Sequence, residues 1–362
     1  MNKKNVDLNN EDLLSKTIQF LRFPLIIGVV LIHSRVPYEW MSKVTENPTF
    51  DFPIYSTISY LFSSIIARIS VPLFFFFSGF LFFYRTSFNF SVYIKKIKKR
   101  GRTLLIPFLL WNFIAVALTF VLHTFFPNIT IDDSTRNQSL LDLLLTFWNY
   151  HSGAPTNYPL WFIRDLIVVM LFSPLVYLLI RYCRQYGLLV LGVLWLFGWW
   201  IKEPGFSIMA LFFFSMGGAF SIHQKNFVEI FLSFFRFAIV IYVTSIILQM
   251  YFRNNTISSY ISKINIFFGI VLTIDITAFF LSKGIWKVNS FFSEASFFIY
   301  VYHGLIVDRI TSRAFMILPH TDIALVFIYL MCPVVILGIG LPLYYCLKKR
   351  LPRTTALLMG GR

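Results

Sequence analysis

The sequence predicts an all-α polytopic membrane protein of about ten transmembrane helices, with both termini on the cytoplasmic side. Three observations carry this prediction. Of the 362 residues 57% are hydrophobic and 13% charged, and the mean hydropathy is +0.71, which excludes an ordinary soluble domain. Apolar segments of membrane-spanning length recur along the whole chain. The Lys and Arg residues gather in alternate connections between them, as the positive-inside rule requires of a multi-pass protein.

The segments run 17–37, 55–84, 103–122, 159–181, 187–201, 206–222, 229–252, 262–281, 291–311 and 321–347. The first follows the polar stretch Asn5 to Lys16 and has no small-residue cleavage site behind it, so it reads as a retained helix. The fifth and sixth are short and separated only by Lys202-Glu203-Pro204-Gly205, which predicts a tight helical hairpin or one bent, re-entrant unit. With the termini inside, most of the 32 Lys and Arg residues fall on the inner side, including the run from Arg85 to Arg102. The longest loop, His123 to Tyr158, then lies outside, and its apolar part from Leu140 to Trp148 predicts a short amphipathic helix on the outer surface. Residues 1–16 form a cytoplasmic segment, 17–347 one membrane domain, and 348–362 a basic cytoplasmic tail.

In a soluble protein the net charge of +16 would suggest nucleic acid; here its placement marks topology, and no nucleic-acid partner is expected. Cys183, Cys332 and Cys346 are odd in number and lack metal-ligand spacing, so neither a disulfide framework nor a metal site is expected. The 44 Phe, 18 Tyr and 8 Trp read as lipid-facing bulk and interfacial belts.

Chemistry is expected where ionisable residues enter the bilayer. Arg22 and His33 stand eleven positions apart in the first segment. That is close to three turns, so they share one face, about 16 Å apart along the axis. A charged side chain near a helix centre costs roughly 2.5 to 3.5 kcal/mol, which is why such residues usually mark a pathway or a reacting site. Counting the rise per residue places Arg22 about 8 Å and His33 roughly 24 Å from the inner face. Asp165, six residues into the fourth segment, and His303 in the ninth fall in the same outer depth window as His33. A carboxylate there would hold and orient an imidazole; otherwise Asp165 neutralises neighbouring Arg164, and His303 bonds a backbone carbonyl. A neutral imidazole suits proton abstraction from a hydroxyl.

The basic loop Lys95 to Arg102, with Lys98, Lys99, Arg100 and Arg102, is either a topology anchor or a dock for a cytosolic polyanion such as a phosphorylated donor. Arg68 lies mid-membrane in the second segment, ahead of Phe74-Phe75-Phe76-Phe77-Ser78-Gly79-Phe80, where Ser78 and Gly79 permit close helix approach.

These elements together resemble the acyltransferase-3 family of integral membrane O-acyltransferases. The resemblance rests on Arg22 and His33 separated by ten residues, on the phenylalanine-rich run ending in Ser78-Gly79-Phe80, and on the basic segment leading to Pro107. It rests further on Trp161-Phe162 through Leu166 to Pro174, and on the Ser296, Tyr300, His303 pattern. It implies a bacterial cytoplasmic-membrane enzyme that moves an acetyl or other short acyl group from cytosolic acyl-CoA to a hydroxyl of a cell-surface or lipid-linked glycan. Acyl-CoA is then a donor substrate, with no permanently bound cofactor. His33, Arg22 and Asp165 are expected at the catalytic centre; Arg68, Ser78 and the four basic residues on the donor side; Trp161, Tyr300 and His303 on the acceptor side. The extra extracytoplasmic domain of some members is not expected here, so either a separate extracytoplasmic or glycan-assembly partner completes the transfer or none is needed. Membrane lipid is the surrounding partner. The alternative is a transporter or flippase for a glycan or lipid-linked intermediate, since charged residues in a bundle also line translocation routes.

Overall fold

The computed structural model describes residues 3–125, 145–148 and 153–361, and among these every regular element is helical. The main helices are α1 (Lys3–His33), α2 (Pro53–Phe83), α3 (Phe90–Leu122), α4 (Tyr158–Leu171), α5 (Ser173–Leu178), α6 (Arg184–Phe197), α7 (Ile208–Ile222) and α8 (Phe227–Leu232). They are followed by α9 (Phe235–Tyr251), α10 (Ile257–Ser282), α11 (Ser290–Ile317), α12 (Asp322–Arg350) and the short α13 (Pro352–Leu358). Six helices, α1, α2, α3, α10, α11 and α12, are long and apolar enough to cross a membrane. The stretch from Tyr158 to Phe197 is apolar enough only as a bent pair, Tyr158–Leu171 with Ser173–Phe197, while α7 and α9 are apolar but shorter. The chain is therefore an all-helical, multi-pass membrane protein. Of the surface helix expected in the long loop, only 145–148 falls among the described residues, as one helical turn.

Prolines set the irregularities that aim the site. A proline offers no N–H to the carbonyl four residues back and its ring crowds that oxygen. Pro37 stands in that relation to His33, where α1 ends. Pro72 stands so to Arg68, and α2 passes there through a π segment, Tyr60–Ile66, and a 3₁₀ turn, Ala67–Ile69, before regular helix resumes. Pro107 stands so to Thr103, inside the π turn Gly101–Leu105 of α3. The basic stretch Lys95 to Arg102 is consequently helical, continuous with the span that follows, and not the loop the sequence suggested. Pro174 separates α4 from the next helix by a bend of 63°. At Arg184 the backbone adopts a positive φ of 47°, and a Cβ on Gly187 would lie 2.8 Å from the Leu179 side chain. Residues eight apart in a straight helix are about 12 Å apart, so the chain turns back here, between the expected fourth and fifth segments.

The core is aromatic. Phe75, Phe76, Phe77, Phe80, Phe82 and Phe83 of α2 are all buried against protein, where Phe76 packs on Phe220, Phe227 and Phe231. The expectation that nearly all the phenylalanine faces lipid or interface fails for this run. The reason lies in Gly79 and Gly217, which let the backbones of α2 and α7 touch and so bring the neighbouring rings into contact. Five helix starts are capped by short polar side chains, Asn89, Ser207, Asn226, Asn289 and Thr321, each accepting from a backbone N–H of the first turn. Part of the expected C-terminal tail is also ordered: α13 docks on α3, with Trp111 Nε1 donating to the Leu358 carbonyl at 3.1 Å.

Candidate active site

His33 ends α1 half-buried, with its ring centroid 4.9 Å from that of Tyr158 in an edge contact and 5.5 Å from that of His303. His303, in the middle of α11, is fully buried. Its Nδ1 lies 3.2 Å from the Ile299 carbonyl oxygen, which only accepts, so the proton of that bond sits on Nδ1. In the neutral form of the ring this leaves Nε2 as the unprotonated nitrogen, and Nε2 is buried without a hydrogen-bond partner among the described residues. Thus one imidazole is anchored by its backbone with a lone pair free, beside a second that is partly open.

The turn before α4 closes one side. Asn157 is buried, donates its backbone N–H to Asn112 Oδ1 at 3.0 Å, and donates from Nδ2 to the Val301 carbonyl at 3.0 Å. Gly304 makes this possible, since a Cβ there would lie 2.5 Å from Asn157 Oδ1 and 2.6 Å from the Pro159 ring. Tyr300, one turn below His303, donates its hydroxyl to the Pro159 carbonyl and rests its ring 5.9 Å from Phe162. Phe162 in turn meets Phe75 of α2, and Trp161 sits half-buried at the start of α4. Tyr158, which the sequence reading stopped one residue short of, is thereby fixed against His33.

Asp165 is buried on α4, but its partner is Arg164: the guanidinium reaches Oδ1 from Nε at 3.1 Å and from Nη2 at 3.0 Å. Arg164 Nη1 also donates to the carbonyls of Trp148 and Gly153. The carboxylate that the depth argument aligned with the imidazole therefore holds Arg164 and the outer loop, and it is Tyr300 that lies within its electrostatic reach.

On the other side of the bundle Arg22 is exposed although it lies inside the first span, and it carries no hydrogen bond or ion pair among the described residues. It lines a cavity of about 480 Å³ with Glu11, Gln19, Tyr84 and Arg85, where Arg85 bonds Glu11. Lys98, Lys99 and Arg102 are exposed and Arg100 half-buried, with none of the four in a hydrogen bond or ion pair among the described residues. Ser78 is half-buried on α2. Arg68, expected on the donor side, is exposed and within electrostatic reach of His33. A further group escaped the sequence reading: Asp275 of α10 is fully buried with both carboxylate oxygens unpartnered among the described residues. Its signal was present, as a single carboxylate in the apolar segment 262–281.

A bundle of apolar helices that encloses two neighbouring imidazoles, with cations exposed along the same helices, defines the class: a multi-pass membrane protein with a histidine pair set among its helices. Residues 16–346 match the family model described as an acyltransferase domain, acyltransferase-3, so the chain belongs to that family of membrane acyltransferases. The chain is also similar to the succinoglycan biosynthesis protein ExoH of Rhizobium meliloti (strain 1021), with 30% identity over 224 residues, covering 59% of this chain and 55% of that protein. The match thus spans about half the length of that relative. No solved structure matches the chain.

Proposed function

We propose that the protein transfers an acetyl or other short acyl group from cytosolic acyl-CoA to a hydroxyl of a cell-surface or lipid-linked glycan, across ten helical passes of a bacterial cytoplasmic membrane with both termini inside. The observation that carries the reading is the arrangement along α1: an Arg22-lined cavity toward one end and the His33–His303 pair at the other, about 16 Å further on. The donor's phosphates pair with Lys98, Lys99, Arg100 and Arg102, and its pantetheine arm passes Arg22 to bring the thioester to His33. The acceptor hydroxyl gives its proton to His33 while its oxygen attacks the thioester carbon. The C–O bond forms, the C–S bond breaks, and the proton returns to the departing thiolate as free CoA. His303 and Tyr158 fix the ring of His33, and Asp165 acts through Arg164 and Tyr300 by holding the acceptor-side loop. The family membership supports acyl transfer, and the relative whose name places it in succinoglycan biosynthesis supports a polysaccharide acceptor.

The test is transfer of label from acyl-CoA to an added glycan in proteoliposomes. Labelled ester on the glycan is expected; glycan movement across the bilayer without ester formation sinks the reading in favour of transport. Within the same assay, Lys98→Gln, Lys99→Gln, Arg100→Gln and Arg102→Gln combined should raise the KM for acyl-CoA roughly tenfold or more, since hydrogen bonds to charged groups are the stronger ones. The remaining affinity should respond less to salt. An unchanged KM in an inserted, folded variant would leave this helix as a topology anchor alone.

A further inference from the structure

Three arginines meet on the histidine side of the bundle, none of them in an ion pair with an acid among the described residues. Arg35 follows His33 by two residues, and its Nη2 donates to the Ser59 carbonyl at 2.7 Å and to Ser64 Oγ at 2.8 Å, while its Nε is buried without a partner among the described residues. Arg253, just past α9, donates from Nη2 to Ser56 Oγ at 2.7 Å and lies 4.4 Å over the Tyr60 ring. Arg68, on the 3₁₀ turn imposed by Pro72, neighbours Tyr60 as well and makes no hydrogen bond or ion pair among the described residues. Arg35 is within electrostatic reach of both Arg68 and Arg253, and Arg68 of His33.

Among the described residues no acid at this end is ion-paired with any of the three, and Glu39 lies within electrostatic reach of Asp308. Asp322 accepts from the backbone N–H groups of Ile54 and Tyr55, at 3.3 and 2.8 Å. Asp308 faces Tyr158 and Arg309. Guanidinium groups stay protonated under all ordinary conditions, so three of them share this region as permanent like charges. Their partners here, two hydroxyls, one carbonyl and one aromatic face, are all neutral, and each arginine retains N–H donors. Such a cluster is stabilised by a bound oxyanion, and the planar donor fork of arginine fits carboxylate and phosphate oxygens in pairs.

Resting on the acyl-transfer reading above, we infer that Arg35, Arg68 and Arg253 form an anion subsite that holds a carboxylate or phosphate group of the acceptor beside His33, so that the enzyme selects acidic acceptors. The assignment to the acceptor follows from position. The cluster adjoins the His33 end of α1, whereas the Arg22 cavity and the basic helix, where donor phosphates pair, lie toward the opposite end. A carboxylate would come from an acidic sugar and a phosphate from the linkage to a lipid carrier.

Two measurements separate this subsite from the reading beneath it. First, thermal melts of the purified protein at fixed ionic strength, with sodium glucuronate or inorganic pyrophosphate replacing chloride, should show a rise in Tm that shrinks in Arg68→Gln and in Arg253→Gln. Whichever anion gives the larger shift identifies the source. Second, with a uronate-containing oligosaccharide and its neutral counterpart as acceptors, the ratio of their kcat/KM values should fall about tenfold or more in each variant, and Arg68→Lys should recover part of it. No anion-dependent shift in the wild type, or an acidic-to-neutral ratio the variants leave unchanged, overturns the subsite. Failure of the wild type to acylate any acceptor overturns the acyl-transfer reading, while the melts still report whether the anion binds.

Discussion

His33→Ala is expected to insert and fold like the wild type yet to lose roughly 10²-fold or more of its acyl transfer, the usual contribution of a positioned general base. Folding should survive because the change removes a half-buried polar ring from the end of α1, where the neighbouring Ser34 and Val36 already anchor the chain through bonds to Val30 and Tyr55. Transfer should not survive, because the ring sits between Tyr158 and His303 and no other described side chain presents a partly open imidazole in this cluster. The measurement is single-turnover transfer from labelled acyl-CoA in proteoliposomes, with a melt of the same preparation. Arg22→Ala supplies the contrast: it should reduce transfer through the donor's path, and what remains should keep the wild-type pH profile. A folded His33→Ala protein turning over at near wild-type rate would remove the base from His33 and pass the role to His303, whose Nε2 has no partner among the described residues.

The sequence made the ends of the α1 stripe legible, because helical periodicity and the cost of burying charge in lipid are both readable from residue order. Depth along a helix is readable too, which is why His33 and His303 were expected at one level and are found 5.5 Å apart. Depth says nothing about azimuth, however. Asp165 shares that level but points its carboxylate to Arg164, the adjacent residue in sequence. Arg68 was read by its mid-membrane position alone, whereas the 3₁₀ turn forced by Pro72 turns it toward Tyr60 and the arginines. Arg35 and Arg253 stand in connections far apart in sequence, and only folding brings them together. The basic helix shows the opposite limit: its charge pattern suggested a loop, and amphipathic helix followed because Asn89 caps its start and the π turn at Gly101–Leu105 carries it past Pro107.

Replacing Gly79 or Gly217 by any larger residue is expected to prevent stable folding, the largest stability effect in the molecule. A Cβ built on Gly79 lies 1.9 Å from the Phe214 carbonyl oxygen, and one on Gly217 lies 1.9 Å from that of Phe76. Both obstacles are backbone atoms of the opposing helix, so no rotamer change relieves them; α2 and α7 must separate. Separation would part Phe76 from Phe220, and Phe82 and Phe83 from Phe214, and open a region whose α2 rings are now buried against protein. Costs above about 4 kcal/mol arise from overpacking of this kind, and that is a large fraction of a typical folding free energy. The site would be lost as well, since α2 carries Phe75, which supports Phe162 and through it Tyr300. Fluorescence-detected gel filtration and melts of Gly79→Ala and Gly217→Ala should therefore show little monodisperse protein. Gly338→Ala, where a Cβ meets nothing within 4 Å on α12, should behave as wild type or slightly better. If Gly79→Ala instead melts within about 2 °C of the wild type, the two backbones are not in contact in the membrane, and the Phe75–Phe162–Tyr300 support of the site must be redrawn.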